Sequence, residues 1–221
     1  MTLTLPYGTF EAPDSDTFAA EVQEEGFWDT DLQPYFDRVQ PGRVVIDVGA
    51  HVGYYSGYLA SRGVKVLAFE GHPVYVPLLQ ANMQANGWER RVTIAPWFCY
   101  STAAFLDEDR EHAVRASNTW LPVNTLDPGI PLPRLALPLD AMTYYVTPSL
   151  LKIDAQGADL HVLLGAEQLI QRCHPPILIE YEAALATRHG HSADDYRAWR
   201  DTHGYEEPPI NGWNAYWTWR G

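Results

Sequence analysis

The sequence predicts an α/β fold built on a mainly parallel sheet. Three observations carry this prediction. Arg43-Val44-Val45-Ile46-Asp47-Val48 is a largely β-branched run that ends in the turn Gly49-Ala50-His51-Val52-Gly53. From there, strand and helix patterns alternate through about 50 residues with tight connections, which demands right-handed crossovers between parallel strands. The same alternation resumes at Leu150 after an interruption.

Residues 1–40 read as an N-terminal segment, in which Asp14-Ser15-Asp16 supplies an N-cap and Phe18, Val22 and Phe27 form one helical face. Pro41-Gly42 closes the segment with a turn signal. The run at 43–48 suits a strand buried on both faces. A helix follows over residues 53–61, stopped by Gly63. The second strand, Val64-Lys65-Val66-Leu67-Ala68-Phe69, ends at Glu70. Pro73 opens the next helix, and Leu78, Leu79, Asn82, Met83 and Asn86 carry it to Gly87. Val92-Thr93-Ile94 is a third strand.

Residues 101–138 break the pattern. Charges crowd Asp107-Glu108-Asp109-Arg110-Glu111, and Pro122, Pro128, Pro131, Pro133 and Pro138 interrupt the rest. Short antiparallel strands are expected at residues 103–105 and 135–139, around an insertion or substrate-side lid. Beyond it, the pattern gives a strand at 150–154 and a helix at 159–170 with Leu160, Leu163, Leu164 and Ile170 inward. A strand at 177–182, a helix at 194–200 and a last strand at 214–219 follow. No internal repeat is present, so residues 1–221 read as one domain.

Composition narrows the function. A length of 221 residues accommodates one full α/β domain, and 46% apolar residues are ordinary for a globular chain. The net charge of −13 opposes an electrostatic grip on nucleic-acid phosphates or an anionic membrane surface. Neither is expected as a partner, and a homo-oligomer stays open. Cys99 and Cys173 alone make neither a disulfide framework nor a closed zinc site. The start lacks the basic and apolar pattern of a signal peptide, and no stretch reaches the roughly 20 apolar residues of a membrane span. A cytoplasmic location is the expectation. The eight tryptophans read mostly as core or interface residues.

Chemistry concentrates at the strand ends. Gly49 allows a tight turn, and Gly53 lets backbone or ligand come close where the helix starts. The spacing is Gly-x-x-x-Gly rather than the dinucleotide fingerprint Gly-x-Gly-x-x-Gly, and Asp47 sits two residues before the first glycine. An acid there suits a positively charged ligand and repels a pyrophosphate. S-adenosylmethionine (SAM) carries an ammonium and a sulfonium and no phosphate. Asp47, Gly49, Ala50, His51 and Gly53 are therefore candidate cofactor residues. Glu70 lies about 20 residues beyond the turn, where a carboxylate accepts hydrogen bonds from ribose hydroxyls in NAD and SAM enzymes alike. His72 is placed to flank the adenine or to sit exposed in a turn. Trp97 and Phe98 belong to a loop expected near the adenine.

Asp154 ends the fourth core strand on the same sheet edge as Asp47 and Glu70, the edge over which ligands bind. It is a candidate general base, acceptor-orienting group or divalent-metal ligand, or else the N-cap of the next helix. Glu180 and Glu182 end the fifth strand similarly. His161, one turn inside the helix after Asp154, is a catalytic candidate or a structural histidine. No dedicated metal-ligand set stands out, and a metal requirement stays open.

These residues resemble the FkbM-type SAM-dependent methyltransferases, a branch of the class I Rossmann-like methyltransferases. The stretch from Pro41 to Ser56 looks like the family's first motif, where Asn usually stands at the position of His51. Phe69-Glu70-Gly71-His72-Pro73 is similar to its acidic second motif, and the stretch from Leu79 to Gly87 to its second helix. Leu139-Asp140 and Leu150-Leu151-Lys152-Ile153-Asp154-Ala155-Gln156-Gly157-Ala158-Asp159 resemble its fourth-strand signature, which continues through Leu163-Leu164-Gly165-Ala166. There the family has Glu at the positions of Gln156 and Asp159. The resemblance implies a doubly wound, seven-stranded, mostly parallel sheet with an antiparallel final strand near residues 214–219. It implies SAM across the strand tips, with S-adenosylhomocysteine (SAH) as product. Asp47 would hold the methionine end through its neighbourhood and Glu70 the ribose.

Three functions compete at this level. One is O-methylation of a hydroxyl on a small molecule or glycan. The second is a SAM-binding module without turnover, which Gln156 and His51 favour. The third is a nucleotide-dependent oxidoreductase, which Asp47 and the glycine spacing disfavour.

Overall fold

The computed structural model describes residues 1–14, 16, 19–106, 134–207 and 214–221. Its first element differs from expectation. β1 (Thr2–Leu5) and β2 (Gly8–Glu11) form an antiparallel hairpin, with Leu3, Leu5 and Phe10 buried between exposed neighbours. Thr2-Leu3-Thr4-Leu5 carries the period-2 signal of such a strand. α1 (Ala19–Glu25) turns Val22 inward, and a 3-10 turn (Thr30–Leu32) leads to α2 (Gln33–Asp37). Phe27 is buried, but beyond the end of α1 rather than on its face; Phe18 and Ser15 lie outside the described residues.

The α/β core then runs β3 (Val44–Val48), α3 (Tyr54–Ser61), β4 (Lys65–Phe69), α4 (Tyr75–Ala85) and β5 (Val92–Ala95). Pro73 sits in the turn before α4 rather than in its first turn. β6 (Phe98–Cys99), β7 (Ala104–Leu106) and β8 (Arg134–Leu137) form a small second sheet. β7 and β8 pair antiparallel, close to the predicted places, while the parallel β6 was not foreseen. The acidic run at 107–111 and the lid proper lie outside the described residues, as do Trp120 and Trp213.

β9 (Leu150–Ile153), α5 (Asp159–Leu164), α6 (Glu167–Cys173), β10 (Ile177–Glu180), α7 (Ala183–Arg188), α8 (Ala193–Thr202), β11 (Tyr205–Glu206) and β12 (Asn214–Trp219) complete the chain. The single helix expected at 159–170 is two. A Cβ on Gly165 would lie 2.2 Å from the Tyr100 carbonyl oxygen, so the break admits the neighbouring loop. Because the helix ends there, Leu164 points outward, at 39% exposure. α7 and β11 carried no signal that the periodicity picked out.

The main sheet has the order β11-β12-β10-β9-β3-β4-β5. β10, β9, β3, β4 and β5 are parallel, β12 runs antiparallel to β10, and β11 pairs antiparallel with β12. Ile46, Val48, Leu151, Ile153 and Ile179 bury against the α5, α6 and α8 side, whereas Val45, Val66, Leu150 and Leu178 pack with α3, α4 and the N-terminal hairpin. From β3 the chain winds outward to β4 and β5, then returns to β9 on the other side. The resulting crevice at the carboxyl ends of β3 and β9 is the switch point where such sheets bind ligands.

Candidate functional site

A cavity of about 530 Å³ opens over those strand ends, within the range of small-molecule sites. Its wall includes Gly49, Ala50 and His51 after β3, Glu70 and Gly71 after β4, and Trp97 and Phe98 after β5. Lys152, Asp154 and Gln156 join from β9 and its loop, and Glu180 and Glu182 from β10.

Gly49 is required by a close approach. It has φ +76°, and a Cβ there would lie 1.8 Å from the Asp154 carbonyl oxygen. The Gly49 and Ala50 N–H groups donate to the Phe69 carbonyl at 2.9 and 3.0 Å, fixing the turn against β4. His51 follows in left-handed conformation at φ 54°. Its N–H donates to Glu70 Oε2 at 2.8 Å, and the His72 N–H donates to Oε1 at 2.7 Å. Glu70 thus ties together the loops after β3 and β4. Burial pushes its pKa up to about 7, although both N–H groups pull it down. Each carboxylate oxygen has a second lone pair, so two hydroxyl donors can be received as well.

The wall also holds a buried charge that sequence reasoning passed over. Lys152 is 3% exposed, in a strand buried along its whole length. Its Nζ lies 3.1 Å from Asp47 Oδ1 and 3.6 Å from Asp154 Oδ2, and donates to the carbonyls of Val48 (3.2 Å) and Gly49 (2.9 Å). Burial opposes its charge, but Asp47 and Asp154 outweigh it, and the pKa is raised. A lysine inside an otherwise apolar strand was the available signal, since a buried charge demands a partner.

This arrangement divides the predicted cofactor residues. Gly49, Ala50, His51, Glu70 and Phe98 are on the wall. Asp47 is 1% exposed and sits behind it, accepting from Ser56 Oγ at 2.6 Å and facing Lys152. Its positive partner is therefore a side chain, not a group in the cavity. Gly53 also departs from expectation, because a Cβ there would meet Leu79 and Met83 at 2.6 and 2.7 Å; it admits α4 rather than a ligand. His72 is buried off the wall, with Nδ1 accepting from the Val74 N–H at 3.3 Å.

Of the predicted catalytic residues, Asp154 and Glu180 come together. Gln156, in left-handed conformation at φ 53°, donates from Nε2 to Asp154 Oδ1 at 3.0 Å and reaches Glu180 Oε2 at 3.4 Å. Burial, then the charges of Asp154 and Asp159, push Glu180 well above the ordinary carboxylate range. Asp154 does not cap the next helix. Asp159 braces that loop instead, accepting from the N–H groups of Ala155 (2.7 Å) and Gly157 (2.9 Å). His161 stands apart, stacked on Tyr100 at 4.0 Å with Nδ1 3.1 Å from Ser101 Oγ. Burial, then His191, lowers its pKa. The N-terminal segment supplies further wall residues that had no sequence signal, Glu21, Trp28, Asp29 and Leu32, and β12 supplies Asn214.

The sequence profile of the FkbM methyltransferase domain matches residues 47–207, from the Asp47 turn to the end of β11. The chain belongs to the FkbM methyltransferase domain family. No curated protein matches its sequence. The fold is similar to that of methyltransferase FkbM from Methylobacillus flagellatus KT, with a TM-score of 0.56 at 16% identity over 94% of this chain. The chain spans 56% of that FkbM protein. It is also similar to a precorrin-6y C5,15-methyltransferase from Geobacter metallireducens GS-15, with a TM-score of 0.51 at 17% identity over 96% of this chain and 94% of that one. At these identities the likeness is one of fold. Among the described residues of this FkbM-family chain, no group of three or more His, Cys, Asp or Glu is placed to hold a metal ion. No helix among them is long and apolar enough to cross a membrane.

Proposed function

We propose that this chain is a SAM-dependent methyltransferase acting on a hydroxyl of a small molecule or glycan. The observation that carries the reading is one cavity, at the switch point, that presents Glu70 at one side and the Asp154–Gln156–Glu180 group at the other. The donor set suits SAM: a two-oxygen acceptor for ribose at Glu70, aromatic faces at Trp97 and Phe98, and no arginine on the described wall for phosphates. SAM supplies a sulfonium-borne methyl group to the acceptor oxygen, with the C–S electron pair remaining on sulfur.

The chain's residues do the rest. Gly49, Ala50 and His51 shape the floor, Glu70 holds two hydroxyls, and Phe98 covers the base. Asp154, anchored through Oδ1 by Gln156, takes the hydroxyl proton at Oδ2 as general base. Positioning of acceptor against methyl donor contributes much of the rate. The net charge of −13 supports a small-molecule or glycan acceptor over nucleic acid.

The test is incubation with methyl-labelled SAM and a panel of alcohols, glycans and catechols, with and without Mg²⁺. Transfer to a hydroxyl is expected. Asp154→Asn is expected to keep SAH affinity and lower turnover by about 10² or more; loss of both would assign Asp154 a structural role. A SAM-binding module without turnover is the second reading, favoured by the Gln156 amide where it holds both carboxylates. Tight SAH binding with silence across the panel would establish it.

A further inference from the structure

We propose that the acceptor is a cationic, amine-bearing polyol such as an amino sugar, its ammonium held by Asp29 and Glu182. The proposal rests on the methyltransferase reading and concerns the half of the cavity away from Glu70. That half is walled by the ends of β9, β10 and β12 and by the N-terminal segment, and it is lined by Glu21, Asp29, Asp154, Glu180 and Glu182. Against these carboxylates the described wall offers one Lys or Arg, Lys152. Its ammonium is already engaged by Asp47, Asp154 and two backbone carbonyls.

The acids crowd one another. Burial, then Asp31, raises the pKa of Asp29, with Glu21 and Asp154 adding to it, and Glu180 is raised by burial and by Asp154. A cation entering this space relieves that repulsion. A phosphate or carboxylate would add to it. Trp28 lies on the same wall, and an aromatic face beside carboxylates is a lining that receives ammonium groups. Gln156 and Asn214 supply neutral amides for hydroxyls, and Asn214 Nδ2 donates to Asp29 Oδ2 at 2.5 Å, which sets the carboxylate's direction. SAM adds only one net positive charge, which leaves the acid-lined half in excess.

The experiment is calorimetric titration of the SAH-saturated protein with glucosamine, glucose, N-acetylglucosamine and glucose 6-phosphate. Glucosamine is expected to bind at least about tenfold more tightly than glucose or the acetylated sugar, with the phosphate weakest. Asp29→Asn, which keeps an acceptor for Asn214, and Glu182→Gln are together expected to remove that preference without changing SAH affinity. Glu21→Gln, on an exposed helix position, is expected to weaken it in a chain whose folding is not at risk. Glucosamine binding no better than glucose overturns the proposal, as does a preference that survives all three substitutions. Failure of the wild-type chain to bind SAH would instead overturn the methyltransferase reading beneath it.

Discussion

At the scale of single residues, Glu70 joins a proposed ribose contact to a structural role that the sequence did not show. A strand-end acid at ribose distance was legible from spacing; its role as the clasp between two loops was not, because His51 and His72 N–H groups converge only in three dimensions. Glu70→Ala leaves two buried N–H groups unpaired. It is expected to cost about 2–4 kcal/mol of stability in denaturant unfolding, besides weakening SAH binding. A loss of SAH affinity with unchanged stability would show that the clasp is dispensable. Asp47 teaches the converse. Its charge is needed, but for Lys152, and a lone lysine in an apolar strand would have indicated as much.

At the scale of elements, the strands buried on both faces were read almost to the residue, since continuous apolar runs admit few alternatives. The single helix expected at 159–170 was misread for a reason of another kind. The break between α5 and α6 exists because Tyr100 approaches Gly165, and a close approach between distant segments leaves no local pattern. The β3 turn allows a controlled comparison of glycines. Gly42 and Gly49 both have φ near +80°, but a Cβ on Gly42 meets nothing within 4 Å while one on Gly49 meets Asp154 at 1.8 Å. Gly42→Ala is expected to cost about 1 kcal/mol, the backbone penalty alone. Gly49→Ala should cost at least about 2 kcal/mol more and displace the end of β9, lowering SAH affinity with it. Equal unfolding midpoints for the two variants would contradict this packing.

At the scale of the whole molecule, buried carboxylates and buried histidines pull the pH response in opposite directions. Burial raises both Glu70 and Asp159 to about 7, above ordinary values near 4. These two carboxylates therefore bind more protons in the folded than in the unfolded chain between about pH 4 and 7, so their contribution to stability is greatest at the acid end of that window and falls as pH rises through it, while His51, His161 and His189, lowered by burial, contribute with the opposite sign. The stability of the wild type relative to Asp159→Asn, from unfolding midpoints measured across the window, is expected to decline as pH rises; a difference independent of pH would contradict the raised Asp159. The family and the sheet were legible from motifs in order along the chain. The acid-lined half of the cavity was not, because Glu21 and Asp29 reach it from a segment whose sequence carries no ligand-binding pattern.

The most direct measurement is calorimetric titration of the wild-type chain and Glu70→Gln with SAM, SAH and NAD. SAM and SAH should bind the wild type, bind Glu70→Gln more weakly, and leave NAD without measurable heat. Binding of NAD without SAM or SAH would contradict the assignment of this cavity to methyl transfer.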